Sequence, residues 1–310
     1  MLFKKVGHCL VVGVISMLSL PVFSAVIEHE LGSTQVPDSP QRIVVLEFSF
    51  VDALAAVNVA PVGLADDNKP ERIVAAYRKI IGSDWISVGT RKTPSLELTA
   101  SLKPDLIIAD KKRHSAAYAT LSEIAPTIVL DSLVGDYPAA VKQMSVIGNA
   151  LGKEEEMEQR ITEHKAKIAA YAETFKALSD GMYVQFATAR ASRLTLHSAS
   201  SYNGSLLNAF GFSSKLNPTD GDARANFYVP TTLEQLSELN PEVLILGNYA
   251  DVTIIDQWKN EALYQNLSAV KAGKVFHVDA HSWSRLRGMV AAESTAEDLS
   301  AIMKKISAKK

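Results

Sequence analysis

Cysteine is nearly absent: the 310 residues hold one, Cys9. It lies in an N-terminal stretch with the grammar of an export signal. Lys4 and Lys5 give a positive start, Leu10 to Leu20 form an apolar run too short to span a bilayer, and small residues follow at Val22, Ser24 and Ala25. Residues 1–24 are therefore expected to be a cleavable signal peptide, cut after Ser24 or Ala25. Cys9 stands too early, and without a preceding small-residue box, to be a lipidation site. The mature chain then has neither disulfide nor thiol chemistry, compatible with free diffusion in an oxidising periplasm. A second apolar run of transmembrane length is lacking too. So is a basic surplus: 32 Lys and Arg stand against 34 Asp and Glu, and loss of Lys4 and Lys5 moves the net charge from −2 to −4. Bulk electrostatic binding of nucleic acid is excluded on that balance. Catalytic grammar is missing as well, with no G-x-S-x-G elbow, H-E-x-x-H, G-x-G-x-x-G or Walker loop. Only His277 and His281 approach metal-ligand spacing, and they flank a strand end rather than a helix face, so no directly bound metal is expected.

What remains is an apolar, well-packed chain, 47% hydrophobic with a mean hydropathy of +0.06. Its roughly 285 mature residues suffice for two lobes with separate cores. Short apolar runs at Ile43–Leu46, Leu106–Ala109, Ile128–Leu130, Tyr183–Phe186, Val243–Leu246 and Val275–Val278 alternate with helix-length segments. That alternation predicts an α/β fold with largely parallel sheets. One stretch recurs without a gap: Ser95 to Ile108 matches Thr232 to Ile245, 137 residues on. Each copy reads as a short leucine-seamed helix, a proline stop, then a buried strand opening on an acid. Between the copies, 153–178 is rich in helix formers without Gly or Pro, after a Leu151-Gly152 stop. The organisation expected is a first lobe over 25–152, an inter-lobe helix over 153–178 and a second lobe over 179–310.

Arginine is the residue type that stands out. Arg91 follows the Val88-Gly89-Thr90 loop, and Arg113 closely follows the Leu106–Ala109 run. Arg190 and Arg193 follow the strand near Val184, and Arg285 and Arg287 the strand near Val275. Ligands of open α/β sheets bind outside the carboxyl ends of the strands, so most of these arginines sit on the correct edge, drawn from both halves. Any one alone is equally a solvated surface charge. Together they suit a compact polycarboxylate, because guanidinium is a permanently charged planar fork of donors. His197, Tyr202, Tyr228 and Trp283 lie near these segments and are either donors to the same ligand or core and rim aromatics. Glu97 and Glu234, the matched acids of the repeat, sit on short helices as solvated charges or as contacts for a partner.

Gln41 to Ala56, Pro61 to Asp67, Val88-Gly89-Thr90-Arg91, Pro94 to Glu97, Leu102 to Asp110, Arg113-His114, Trp283 to Gly288 and Ala291-Ala292-Glu293 resemble the periplasmic ferric dicitrate-binding proteins. These belong to the iron-siderophore and cobalamin class of ABC-transporter substrate-binding proteins. The resemblance covers nearly the whole mature chain. It implies a class III periplasmic binding protein: two Rossmann-like lobes joined by a single long helix, with the ligand in the cleft between them. It places Arg91, Arg113, Arg190, His197, Arg285 and Arg287 toward a ferric citrate or related carboxylate chelate, with iron held by the chelator and no cofactor. It makes Glu97 and Glu234 the docking acids for an inner-membrane permease, and the protein a monomer rather than an enzyme. Residues Ala189 to Tyr202 depart most from the pattern. A catecholate or hydroxamate siderophore receptor and a periplasmic α/β hydrolase are the competing readings, the last opposed by the missing nucleophile–base motif.

Overall fold

The computed structural model describes residues 23–179, 181–216 and 226–308. The expected signal peptide lies almost wholly outside them. The first strand, β1 (Phe23–His29), already spans the expected cleavage point. It forms an antiparallel hairpin with β2 (Gly32–Pro37), tied to the first lobe by the Glu30 amide on the Val129 carbonyl at 2.9 Å.

The first lobe is a five-stranded sheet in the order β5 (Ile86–Ser87), β4 (Gly63–Leu64), β3 (Ile43–Val45), β6 (Leu106–Asp110), β7 (Thr127–Leu130). All its pairings are parallel. Strands β3, β6 and β7 are buried at every position, because helices cover both faces and the side chains on either side meet apolar neighbours. Those helices include α1 (Phe48–Ala56), α2 (Ala75–Ile81), α3 (Leu96–Ser101), α4 (Lys111–His114), α5 (Tyr118–Ile124) and α6 (Tyr137–Ala150). The chain winds outward from β3 in one direction and resumes at β6 in the other, so a switch point lies between these two strands. A crevice opens there at their carboxyl ends.

The second sheet runs β10 (Tyr228–Thr231), β9 (Arg193–His197), β8 (Val184–Arg190), β11 (Val243–Asn248), β12 (Val275–Asp279). Here the expectation of parallel pairing holds for only part of the sheet. Strands β8, β11 and β12 are parallel, but β9 pairs antiparallel with β8 and with β10. The reason is the link: only Ala191 and Ser192 separate β8 from β9, and two residues make a hairpin, not a crossover.

The repeat is a structural equivalence. Helices α3 and α9 (Leu233–Leu239) are each N-capped by a hydroxyl, Ser95 on the Leu98 amide and Thr232 on the Gln235 amide. Each stops at a residue of positive φ before proline, Lys103 at 46° and Asn240 at 44°. Each then feeds an interior strand whose leading acid receives backbone amides: Asp105 from Gln41 and Arg42, Glu242 from Tyr183.

Between the sheets runs α7 (Glu154–Ser179), 26 residues without interruption. Gly152, at φ +64°, turns the chain out of α6; a Cβ there would strike the Asp38 carbonyl oxygen. Helix α7 packs against α6 and against the last helix, α11 (Met289–Ser307), which also contacts α1 and is preceded by the short α10 (Ala280–Arg285). Separate cores were expected, and the packing differs. The largest apolar cluster is continuous from Ile27 in the hairpin through α1, α6, α7 and α8 (Tyr202–Ala209) to Ile306. Only the outer faces of the two sheets carry clusters of their own. Helices α7 and α11 bridge the lobes and merge what the strands alone would keep apart. None of the described helices is long and apolar enough to cross a membrane.

Candidate ligand-binding cleft

Glu47 ends the β3 segment. Its side chain caps α1, accepting the Phe48 amide at 2.9 Å, and this holds a carboxylate at the switch point. Two guanidinium groups converge on it. Arg91 Nη1 lies 2.9 Å from Oε1 and Arg113 Nη1 lies 2.8 Å from Oε2. Arg91 is held further by Asp67, through Nη2 at 3.0 Å and Nε at 3.3 Å, and its guanidinium lies over the Phe48 ring at 3.9 Å. His114 braces its backbone: Nδ1 accepts the Asp110 amide at 2.9 Å, leaving Nε2 to donate to the Arg91 carbonyl oxygen at 2.8 Å. Arg113 also meets Asp110 at 3.3 Å, and Asp110 in turn accepts the Ser132 hydroxyl at 2.5 Å.

Across the cleft, Arg285 donates from Nε to the Tyr249 hydroxyl at 3.2 Å and reaches the first lobe through Nη1, 3.4 Å from Asp67. Arg190 lies over the Tyr249 ring at 4.4 Å. Arg287 donates to the Tyr228 hydroxyl at 2.6 Å, and His197 packs edge-on against the Tyr228 ring. Burial, then the nearby Arg287 charge, push the His197 pKa down to about 3, so the imidazole is neutral at physiological pH and adds no charge. Asp67 goes the opposite way. Burial works to raise its pKa, but hydrogen bonds from Arg91 and Arg72 outweigh it and hold the pKa at about 2.

These side chains enclose one cavity of about 260 Å³. Arg91 and Arg113 line it from the first lobe. Arg190, Arg193, Arg285, Arg287, His197 and Tyr228 line it from the second. Glu47 is the one carboxylate in this lining, with Ser49, Ser132, Tyr249 and Ser284 adding hydroxyls. The cavity therefore presents guanidinium forks from both lobes, as an oxyanion-rich ligand requires.

Tyr202 and Trp283, expected among the ligand contacts, are core residues instead, each 1% exposed and absent from the cavity lining. The Tyr202 hydroxyl donates to the Gly288 carbonyl at 2.7 Å and accepts the Gly288 amide at 3.2 Å, so both hydrogen-bonding roles are spent on the backbone behind Arg287. Trp283 Nε1 donates to Asp298 at 2.8 Å. Glu97 and Glu234 lie in the first turns of α3 and α9, exposed and outside the cavity. Sequence reasoning missed Glu47, Asp67 and Tyr249. Glu47 had a readable signal, directly after the first buried run. Asp67 and Tyr249 had none, because their roles arise from contacts 24 and 36 residues away.

Residues 43–281 match the periplasmic binding protein family. The chain belongs to that family. Among its relatives, the Fe(3+)-citrate-binding protein YfmC of Bacillus subtilis is 40% identical over 285 residues, covering 91% of this chain and 86% of the relative. The Fe(3+) dicitrate-binding periplasmic protein FecB of Escherichia coli is 40% identical over 277 residues, 89% of each. The crystal structure of Staphylococcus aureus SirA complexed with staphyloferrin B superposes with a TM-score of 0.77 at 26% identity, covering 91% of this chain and 99% of that one. The petrobactin-binding protein YclQ of Bacillus subtilis shares the fold with a TM-score of 0.71. Family members of this kind are two-lobed binding proteins with a single long connecting helix, not enzymes, and the arrangement of the two sheets about α7 is theirs.

Proposed function

We propose that this chain is exported to the periplasm after removal of residues 1–24. There it captures an iron(III)–citrate complex, or a related carboxylate chelate, and delivers it as a monomer to an inner-membrane ABC permease. In this reading 25–152 and 179–310 are the ligand-gripping lobes and 153–178 the link between them. The observation that carries it is the convergence of Arg91 and Arg113 with Arg190, Arg285 and Arg287 in one cavity. The two 40% identical relatives, both named for iron(III)–citrate, support the same ligand. Iron stays with the chelator and the protein grips the outer carboxylates, as charge-assisted forks do well. Glu97 and Glu234, one per repeat, meet basic pockets of the permease.

Native mass spectrometry of protein purified from iron-limited periplasm tests the ligand directly. The expected spectrum carries added mass equal to iron plus citrate. A catecholate or hydroxamate siderophore in its place would overturn the reading.

A further inference from the structure

Six arginines line the cleft, yet one wall of it sets a carboxylate among them. Glu47 is 2% exposed and belongs to the cavity lining. Its Oε1 is occupied by the Phe48 amide and Arg91. Its Oε2 stands 2.8 Å from Arg113 Nη1 but out of line, and accepts no hydrogen bond. A buried carboxylate oxygen with an unfilled acceptor position costs free energy unless a bound partner fills it. Asp67 and Asp110 draw further on Arg91 and Arg113, while on the opposite wall Arg190, Arg193 and Arg287 have no carboxylate partner among the described residues. The two walls thus differ in character, one an acid–base lattice and the other predominantly cationic.

We propose that Glu47 determines specificity by accepting a hydrogen bond from an O–H group of the ligand, so that the chelate binds with a protonated oxygen toward the first lobe and its ionised carboxylates toward the second. The inference rests on the polycarboxylate reading above and deepens it. The physical reason is like-charge repulsion. A ligand carboxylate placed against Oε2 meets like charge, whereas an O–H there meets an acceptor. The neighbouring titratable and charged groups, Arg91, Arg113, Asp110 and His114 on this wall and the arginines and neutral His197 opposite, supply no further proton donor in line with Oε2. The O–H has two sources, an uncoordinated carboxyl of the chelate or a free hydroxyl.

Two arms of one experiment separate them. Calorimetry of iron(III)–citrate binding in buffers of different ionisation enthalpy counts protons. The carboxyl source predicts uptake of about one proton by the unsubstituted protein and none by Glu47→Gln. Competition between iron-free citrate and tricarballylate, which has the same three carboxylates and no hydroxyl, reports the other source. Here the unsubstituted protein prefers citrate by about tenfold, the worth of one such bond, and Glu47→Gln loses the preference. Glutamine retains an amide oxygen to cap α1, and Asp67→Asn controls for loosening of Arg91, since it removes a carboxylate partner from outside the lining. Unchanged proton count and unchanged preference in Glu47→Gln overturn the proposal, as does an equal loss in Asp67→Asn, which would make Glu47 a spacer for Arg91. Binding of iron(III)–citrate with neither signature removes the Glu47 role and leaves the citrate reading standing. Failure of the unsubstituted protein to bind any of the three removes both.

Discussion

At the scale of single residues, the cleft divides into groups that line the cavity and groups that aim them. Arg285 and Arg287 flank Leu286, which is buried, so the two guanidinium groups project into the cavity from a segment anchored by its middle residue. A charge-assisted contact of this kind contributes about 1.5–3 kcal/mol. Replacing both arginines with alanine should therefore weaken iron(III)–citrate binding by roughly a hundredfold or more. Intrinsic fluorescence titration reads this, and unchanged affinity would remove both from the site. Glu293 lies outside the cavity lining. It accepts His164 Nδ1 at 2.7 Å, Arg160 at 2.6 Å and Lys167 at 2.9 Å, all from α7. Burial favours its neutral form, but these partners prevail and hold its pKa at about 2, below the ordinary 4.5. A depressed carboxylate stabilises the fold fully above its unfolded pKa, and the contribution drains as pH falls from about 4.5 toward 2. Asp67 drains in the same direction, whereas Asp52, raised by burial, runs oppositely. Glu293→Gln should thus cost about 1–2 kcal/mol at pH 7, allowing for its partial exposure, and far less near pH 2. Denaturant titrations at the two pH values check it; an equal loss at both would assign Glu293 to packing alone.

At the scale of elements, the N-terminus of α11 joins the two lobes through hydrogen bonds. Asp52, fully buried in α1, accepts the Val290 amide at 3.1 Å, the Ala291 amide at 2.8 Å and the Tyr77 hydroxyl at 2.8 Å. It caps a helix of the C-terminal half from within the first lobe. Gly288, at φ +141°, admits this approach; a Cβ there would lie 2.4 Å from the Asp52 carboxyl. With Tyr202 on the other side, the segment carrying Arg285 and Arg287 is held by both lobes at once. Helix α7 adds a second rigid tie. Wide hinge bending needs loops or element ends that absorb backbone rotation, and neither an uninterrupted helix nor a capped helix N-terminus does so. Small-angle scattering should accordingly show little change in radius of gyration on adding iron(III)–citrate. A contraction like that of a wide hinge-closing receptor would show that the continuous core parts between the lobes.

At the scale of the whole molecule, the repeat places one exposed glutamate on each lobe, outside the arginine-lined cavity. Their environments are alike in the cap and unlike beside it, where exposed Leu98 corresponds to Gln235. Two separated charge contacts would register the receptor over a permease, setting orientation and encounter rate more than ligand affinity. Replacing Glu97 and Glu234 together with arginine should leave iron(III)–citrate affinity unchanged and abolish uptake, because like charge then faces like. Ligand titration of the purified variant and radio-iron accumulation in a strain lacking its own receptor test the two halves. Normal accumulation would make both ordinary solvated acids, and lost ligand binding would place them at the cleft.

The sequence by itself determined the local grammar. Buried runs at Ile43, Leu106, Ile128 and Val243 became strands because continuous apolar segments need cover on both faces. Helix α7 begins and ends within one residue of its expected window because propensity and the Gly152 stop act locally. The strand-end arginines were visible for the same reason, since the edge of a parallel sheet to which a residue belongs follows from strand order. Only the tertiary structure decided what those residues touch. Tyr202 and Trp283 adjoin the cleft in sequence but point into the core, because Gly288 and Asp298 offer them partners there. The short β4 and β5 were illegible, two residues each, defined by pairing, β4 with β3 and β5 with β4, rather than by composition. The antiparallel turn at Ala191, the single core shared through α7 and α11, and the acids Glu47 and Asp67 among the arginines all depend on residues far apart in the chain. Burial and charge pairing are properties of neighbours in space, and a linear order specifies those only once the chain has folded.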